Sequence, residues 1–421
     1  MAGSLAARAG GGRGARFGEG AILAAGIDAG SARTRCVVGW LDGACLSLAG
    51  YGEAPAAGWA RGRIADAAAL ADSVRAAVAA AERMAGVAVE SAVVGVGGPA
   101  IQSVVSQGLY PLGRPREVQR EDIRRAVEDA SQLNLPADRM VLYASAQEFV
   151  LDGRAEYHNP VGAVGSRLES YAHVITTSVY EHKALVAAVN QAGVEVEETV
   201  YEALAAAYAA VLPADRTEGI AVADVGLHST ELVVYLGDIL AHAATLPVCG
   251  DHFTRDVAHG LRVTYEDAGR LKEEYGCAMA GLTADNSLIE IPPAQGRPPR
   301  EASRRELNLI LEARAEELFL FVQRELVQAG LERSLLNGLV LAGGGAALTG
   351  MCDVAERVLG CRARNGLAVG IAGWPDELNH PAWTTAAGLM MYSARLKYRA
   401  ARRRPGGLLG RIFQREERLR R

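Results

Sequence analysis

Short apolar runs that end in Asp and Gly recur along this chain, with stretches of helical period between them. Over residues 219–231, GIAVADVGLHSTE, the spacing of Ile220, Val222 and Val225 among small alanines predicts a buried central strand. Asp224 falls where that strand gives way to Gly226. Leu232, Val233, Val234 and Tyr235 resume the sheet, and Gly237-Asp238 closes a hairpin. Residues 21–40, AILAAGIDAGSARTRCVVGW, repeat the plan with Asp28, Gly30, Ser31 and Thr34. A third strand, within residues 339–350, ends in Gly343-Gly344-Gly345 and runs into helical residues. Helices are predicted over 66–84, 120–132, 182–193, 200–212, 252–261, 265–275, 304–328 and 383–400. The first carries the apolar stripe Leu70, Val74, Ala77, Val78 and Ala81, with Asp66 as N-cap and Gly86 past its end.

A strand that ends in Asp-x-Gly is, taken singly, an ordinary tight turn. Two copies make a different object, because facing hairpins can clamp the β- and γ-phosphates of one nucleotide. Gly226 is expected to take φ > 0 and let backbone N–H groups approach a phosphate, with Gly30 in the matching place. Ser31, Ser229 and Thr230 add hydroxyl donors, and Asp28 and Asp224 are candidates to hold Mg2+ through water. Gly343, Gly344 and Gly345 offer bare backbone for an adenosine to lie against. Glu202, near the start of its helix, is a candidate to orient an attacking water, or else a solvated helix-start acid. ATP with Mg2+ is the ligand these elements fit.

Residues 100–178 change character. Gln, Arg and Glu dominate, and short strands are expected around a helix that begins with acids in its first turn. This reads as an inserted α/β subdomain or as a larger loop of the first domain. At 421 residues the chain exceeds one ordinary core, so two or more lobes are expected. No apolar run reaches the ~18 residues that span a bilayer. Residues 1–20 lack the apolar core of a signal peptide and read as a disordered arm or as a start codon placed too early. The six cysteines form no C-x-x-C pair, and His252 and His259 lack metal spacing, so reduced thiols and no zinc are expected. A net charge of −5 argues against general nucleic-acid binding.

The basic residues gather at the end. After KYRAARRR, Pro405-Gly406-Gly407 breaks the chain, and residues 408–421 place Leu408, Leu409, Ile412 and Phe413 on one helical side with Arg411 and Arg415 flanking. That pattern fits a membrane-surface anchor, the alternative being a helix folded back on the protein. Half-burial of the four apolar side chains gives about 3 to 6 kcal/mol, enough for reversible binding by one tail and firm binding by many.

With these pieces the chain resembles the family of the bacterial cell-division protein FtsA, an actin homologue, from residue 21 to the end. The resemblance is carried by GIDAGSARTR at residues 26–35, NPVG at 159–162, ADVGLHSTELVVY at 223–235, GRPPREASRREL at 296–307, LAGGGAALTGM at 341–351 and the tail. It implies an α/β, actin-like ATPase fold: two lobes, each a mixed sheet flanked by helices, with an inserted α/β subdomain and a C-terminal amphipathic helix. The implied division is subdomain 1A at 21–99 and 179–213, the inserted 1C at 100–178, 2A at 214–247 and 335–396, 2B at 248–334, and a linker with membrane helix at 397–421. It also implies an ATP-binding adaptor that forms homopolymers on the inner face of the plasma membrane at the division septum as a peripheral protein. There it ties FtsZ to the membrane through the region 251–333 and recruits later division proteins through the insert. Lys272 is the implied nucleotide-facing lysine. Arg33 stands for the first-loop lysine, Leu227-His228 replaces two glycines with His228 a possible phosphate donor, and Gly269 stands where an acid is usual. Slow or absent hydrolysis is therefore expected. The competing readings are a pilus-assembly adaptor without such a tail and a small-molecule kinase on the same fold, which needs an acceptor pocket.

Overall fold

The computed structural model describes residues 20–403 apart from Asp238 and residues 294–297. Two five-stranded sheets of one plan dominate it. In the first, the order is Glu195–Tyr201, Ser91–Val96, Ile22–Ala29, Arg33–Asp42, Cys45–Pro55; in the second, Ala363–Asn365, Leu339–Ala342, Ile220–Val225, Thr230–Leu236, Ile239–Leu246. Each has a three-strand antiparallel meander followed by strands added in parallel. The central strands Ile22–Ala29 and Ile220–Val225 are almost wholly buried, as their unbroken apolar runs require.

The helix Ala67–Ala85 lies on the first sheet with Leu70, Val74, Ala77, Val78 and Ala81 inward, and the Asp66 carboxylate accepts from the N–H groups of Ala68 and Ala69 at 2.9 and 3.0 Å. That cap contributes about 1 kcal/mol. Alanines on the helix meet glycines on the strand below: a β-carbon at Gly50 or Gly52 would collide with the helix backbone. Close approach of backbones, more than bulk, makes this contact. In the second lobe the helix Arg304–Gln328 buries Leu307, Leu311, Ala315, Leu318, Phe319, Val322 and Leu326 against the helices Gly250–Leu261 and Met351–Leu359.

Several elements differ from expectation. The inserted sheet has long strands, Gln102–Glu117, Arg139–Leu151 and Val164–Ser178, with Ala155–Tyr157 at one edge and the helix Arg120–Ala130 against it. Val200 and Tyr201, expected in a helix, end the strand Glu195–Tyr201 in register with Gly95 and Val96, and the helix is Glu202–Ala210. β-Branched and aromatic residues at 199–201 complete the sheet, which outweighs the helical period read across them. The preceding helix is Val179–Gln191, capped by Ser178. The final helix Thr384–Arg403, counted with the second lobe on sequence, packs on Ile22–Ala29 and Glu202–Ala210 of the first. Of the arm expected at residues 1–20 all but Gly20, and the tail residues Leu408, Leu409, Arg411, Ile412, Phe413 and Arg415, lie outside the described residues.

Candidate functional site

The two hairpins bring their acids to one place between the lobes. Asp28 pairs across its hairpin with Arg35, and Asp224 across its own with Glu231, so two equivalent positions carry opposite charge. All three acids are buried, Glu231 almost completely. Asp224 accepts from Thr385 Oγ1 at 2.6 Å. Glu231 reaches across to the first lobe, where its carboxylate accepts from Gly98 N–H at 2.6 Å, while Ser229 Oγ of its own loop donates to it at 3.1 Å. Glu202, the first residue of its helix, leans over the strand end at Gly97. A β-carbon there would collide with Glu202 Oε2 and lie 2.7 Å from Glu231 Oε1, so the two carboxylates meet above a residue that has to lack a side chain.

Four acids in so small a dry space raise one another's proton affinity. Burial pushes Asp28 up to about 7, with Asp224 adding to the effect while Arg35 and the Gly30 N–H oppose it. Burial likewise pushes Glu231 up to about 8, aided by Asp224. Asp224 is raised by burial, against the pull of Thr385 and Arg35. Glu202, raised by burial and then by Glu231, Asp28 and Asp224, holds its proton well above the usual carboxylate range. Such a cluster fits a bound cation. Among the described residues no group of three or more His, Cys, Asp or Glu is set to hold a bare ion. Two carboxylates at the ends of the opposed hairpins are the kind of donor that Mg2+, which keeps several of its waters, would take.

A cavity of about 60 Å3 at the bottom of the cleft is lined by Gly30, Ser31, Gly97, Gly98, Glu202, His228 and Ser229, which unites both hairpin loops with the helix-start acid. The other sequence candidates stand around it. Gly226 does not adopt a left-handed φ; its lack of a side chain leaves room for Ser229 O, 3.0 Å from where a β-carbon would sit. Its carbonyl accepts from Gly250 N–H at 2.9 Å, which fixes the loop on the next helix. Thr230, expected as a phosphate donor, is fully buried, because in the strand's alternation its side chain points into the core. Arg33 is half-exposed beside Glu53, 3.8 Å away, and the basic side chain beside the acids is Arg35, 2.8 Å from Glu53. Lys272 is half-buried in the second lobe and donates to Thr254 Oγ1 at 2.8 Å, outside the cavity lining; its partial burial lowers its proton affinity. Gly343 has φ +83° and backs onto Asp224, Gly345 backs onto Val225, and only Gly344 of the three faces open space.

The side chain of His228 has a visible consequence at the cleft. Its Cβ lies 3.0 Å from where a β-carbon of Gly62 would sit, beside Pro99, so the second-lobe loop touches the first lobe across the cleft. Its Nδ1 is buried without a hydrogen-bond partner among the described residues, and burial lowers its proton affinity. Arg35 and Glu231 escaped the sequence reading. The signal was there, since closing each hairpin sets Asp28 opposite Arg35 and Asp224 opposite Glu231.

A duplicated sheet with acidic hairpins opposed between two lobes defines the actin-like ATPase fold. Solved structures agree: the PilM–PilN type IV pilus biogenesis complex is similar with a TM-score of 0.64 at 18% identity, covering 88% of this chain and 98% of that one. MreB5 of Spiroplasma citri bound to ADP is similar with a TM-score of 0.53 at 14% identity, covering 90% and 98%. Within that class, residues 221–388 match the family model of the cell division protein FtsA, and residues 98–176 match the SHS2 domain inserted in FtsA. The cell division protein FtsA of Pseudomonas aeruginosa is 34% identical over 369 residues, 87% of this chain and 88% of that one. That of Escherichia coli K12 is 30% identical over 378 residues, 88% and 90%. The chain belongs to the FtsA family of cell division proteins.

Proposed function

We propose that this chain binds ATP with Mg2+ between its lobes and serves as a polymerising adaptor that ties FtsZ filaments to the inner face of the plasma membrane at the division site. The observation that carries the reading is the opposition of Asp28 and Asp224 at the ends of two like hairpins, in a chain of the FtsA family. Asp28 and Asp224 would orient the waters of the ion, and Mg2+ would supply charge neutralisation for the phosphates. Ser31, in the cavity lining, and the unpartnered Nδ1 of His228 are the donors we assign to phosphate oxygens, and Ser229 would join them by giving up its bond to Glu231. Gly344 leaves room beside the nucleotide, Gly30 lines the cavity while leaving room for Arg33 O, and Gly226, Gly343, Gly345 and Thr230 act from behind as packing.

Glu202 is the residue we assign to the attacking water. Because it retains its proton well above the usual range, little of it stands as the carboxylate that could accept a proton from water, which predicts slow turnover. Family membership favours contacts with FtsZ, later division proteins and further copies of the chain. The basic amphipathic pattern at residues 408–421 favours an anionic membrane surface as the place of assembly. Among the described residues no helix is long and apolar enough to cross a membrane.

Co-sedimentation with anionic liposomes, with and without ATP, tests the reading on the full chain and on one ending at Arg404. Pelleting that needs the tail, strengthens with ATP and carries FtsZ down with it is the expected result. Equal pelleting of both forms would overturn the membrane assignment.

A further inference from the structure

The strand Ile239–Leu246 is the edge of the second lobe's sheet, and its free side is covered by the inserted subdomain. An uncovered edge leaves carbonyl and N–H groups without partners. Here side chains supply them. The Gln147 amide, from the strand Arg139–Leu151, donates to Leu240 O at 3.2 Å and to Ala241 O at 2.9 Å, and Ser103 Oγ, from Gln102–Glu117, donates to Ala243 O.

The edge strand is shaped for this contact. Its pairing slips between Val234 and Tyr235, so that Ala241 is an extra residue, and such a bulge lets two successive carbonyls reach one amide. Around the hydrogen bonds, Ile175 of the insert shares an apolar cluster with Leu240 and Ala243. The rings of His173 and His242 meet edge to face with centroids 6.3 Å apart, and His242 Nε2 lies 3.0 Å from Glu325 Oε2.

The insert is also joined to the first lobe by both of its chain connections, at Ile101 and at Val179. We propose that the inserted subdomain is a noncovalent strut between the lobes, gripping the edge strand of the second through Gln147 and Ser103 so that rotation of one lobe against the other moves the inserted sheet. Ile239–Leu246 pairs with Thr230–Leu236, which starts at the loop of His228 and Ser229, so the grip lies one strand away from the cleft. Surfaces of the insert then report the state of the cleft to whatever they touch.

Amide hydrogen exchange on the full chain, first without nucleotide, tests the strut. In Gln147→Glu a carboxylate replaces the donor and faces two carbonyls. Loss of two hydrogen bonds predicts about tenfold faster exchange in Arg139–Leu151 and Ile239–Leu246, with Ile22–Ala29 and Leu339–Ala342 unchanged. Ser103→Ala, a milder change, should give a rise of about threefold in the same segments. Unchanged exchange there in both variants would overturn the strut. A second arm adds a Mg2+ complex of a nonhydrolysable ATP analogue. Slower exchange in Ile220–Val225 together with the insert in the wild type, and in Ile220–Val225 alone in Gln147→Glu, is expected. An equal response of the insert in both proteins would overturn the coupling, whereas no response anywhere would count against the nucleotide reading and leave the first arm to decide the strut.

Discussion

Glu231→Gln isolates the charge strain of the cleft. The wild-type side chain holds its proton to about pH 8, whereas the unfolded chain releases it near the ordinary value of 4.5. Between those limits the native state binds more protons than the unfolded state, so stability falls as pH rises; below 4.5 the contribution is complete, and above 8 it is gone. At 1.36 kcal/mol per pH unit, the interval from about pH 6 to about pH 8 removes roughly 2 to 3 kcal/mol from the nucleotide-free protein. Glutamine keeps the acceptor for Gly98 N–H and offers an N–H to Glu202, with nothing to ionise. Urea unfolding at the two pH values, without nucleotide, should show the variant losing about 2 kcal/mol less than the wild type over this interval. Equal losses would refute the reasoning, since Glu231 would then not be the group that releases its proton.

Two further outcomes follow from contacts already described. Gly343→Ala places a methyl group on the Asp224 carboxylate, 2.6 Å from Val225 O, at φ +83°, so left-handed strain and overpacking together should cost about 2 to 4 kcal/mol in urea unfolding; a midpoint within error of wild type would refute the packing. His173, held neutral by burial down to about 4 with His242 and its partner Glu325 facing it, gives stability that is complete above about 6.5 and lost as pH falls toward 4. Roughly 2 kcal/mol should go between about pH 6.5 and about pH 5, and His173→Gln should flatten that loss in calorimetric or denaturant unfolding.

What the sequence disclosed, and what it hid, divides along physical lines. The hairpins were legible because the acids of a buried strand and the glycine after it are local signals, and their repetition at Asp28 and Asp224 gave them meaning. The helix at residues 67–85 was legible through its 3.6 period and its caps. Glu231 and Arg35 were not, since their roles depend on register: each is an unremarked charge in its strand until the hairpin closes and sets it beside an acid. Thr230 and Arg33 misled for the same reason, because alternation along a strand, and not residue type, decides which side chain faces the cleft. The split at Tyr201, the long strands of the insert and the return of the last helix to the first lobe rest on contacts between distant segments, which no local pattern encodes.

That returning helix has a mechanical consequence. Along Thr384–Arg403, Tyr392 donates to Glu198 and Ser393 to Glu197, each at 3.0 Å, and Lys397 Nζ reaches both Glu197 and Leu23 O at 2.8 Å. A pull applied at Arg403 thus meets the first lobe in shear, across several side chains at once, before it reaches the helix start, where Thr385 donates to Asp224 of the second lobe. Most of the load is spent on the first lobe, and what passes on enters the second at Asp224, beside the cleft.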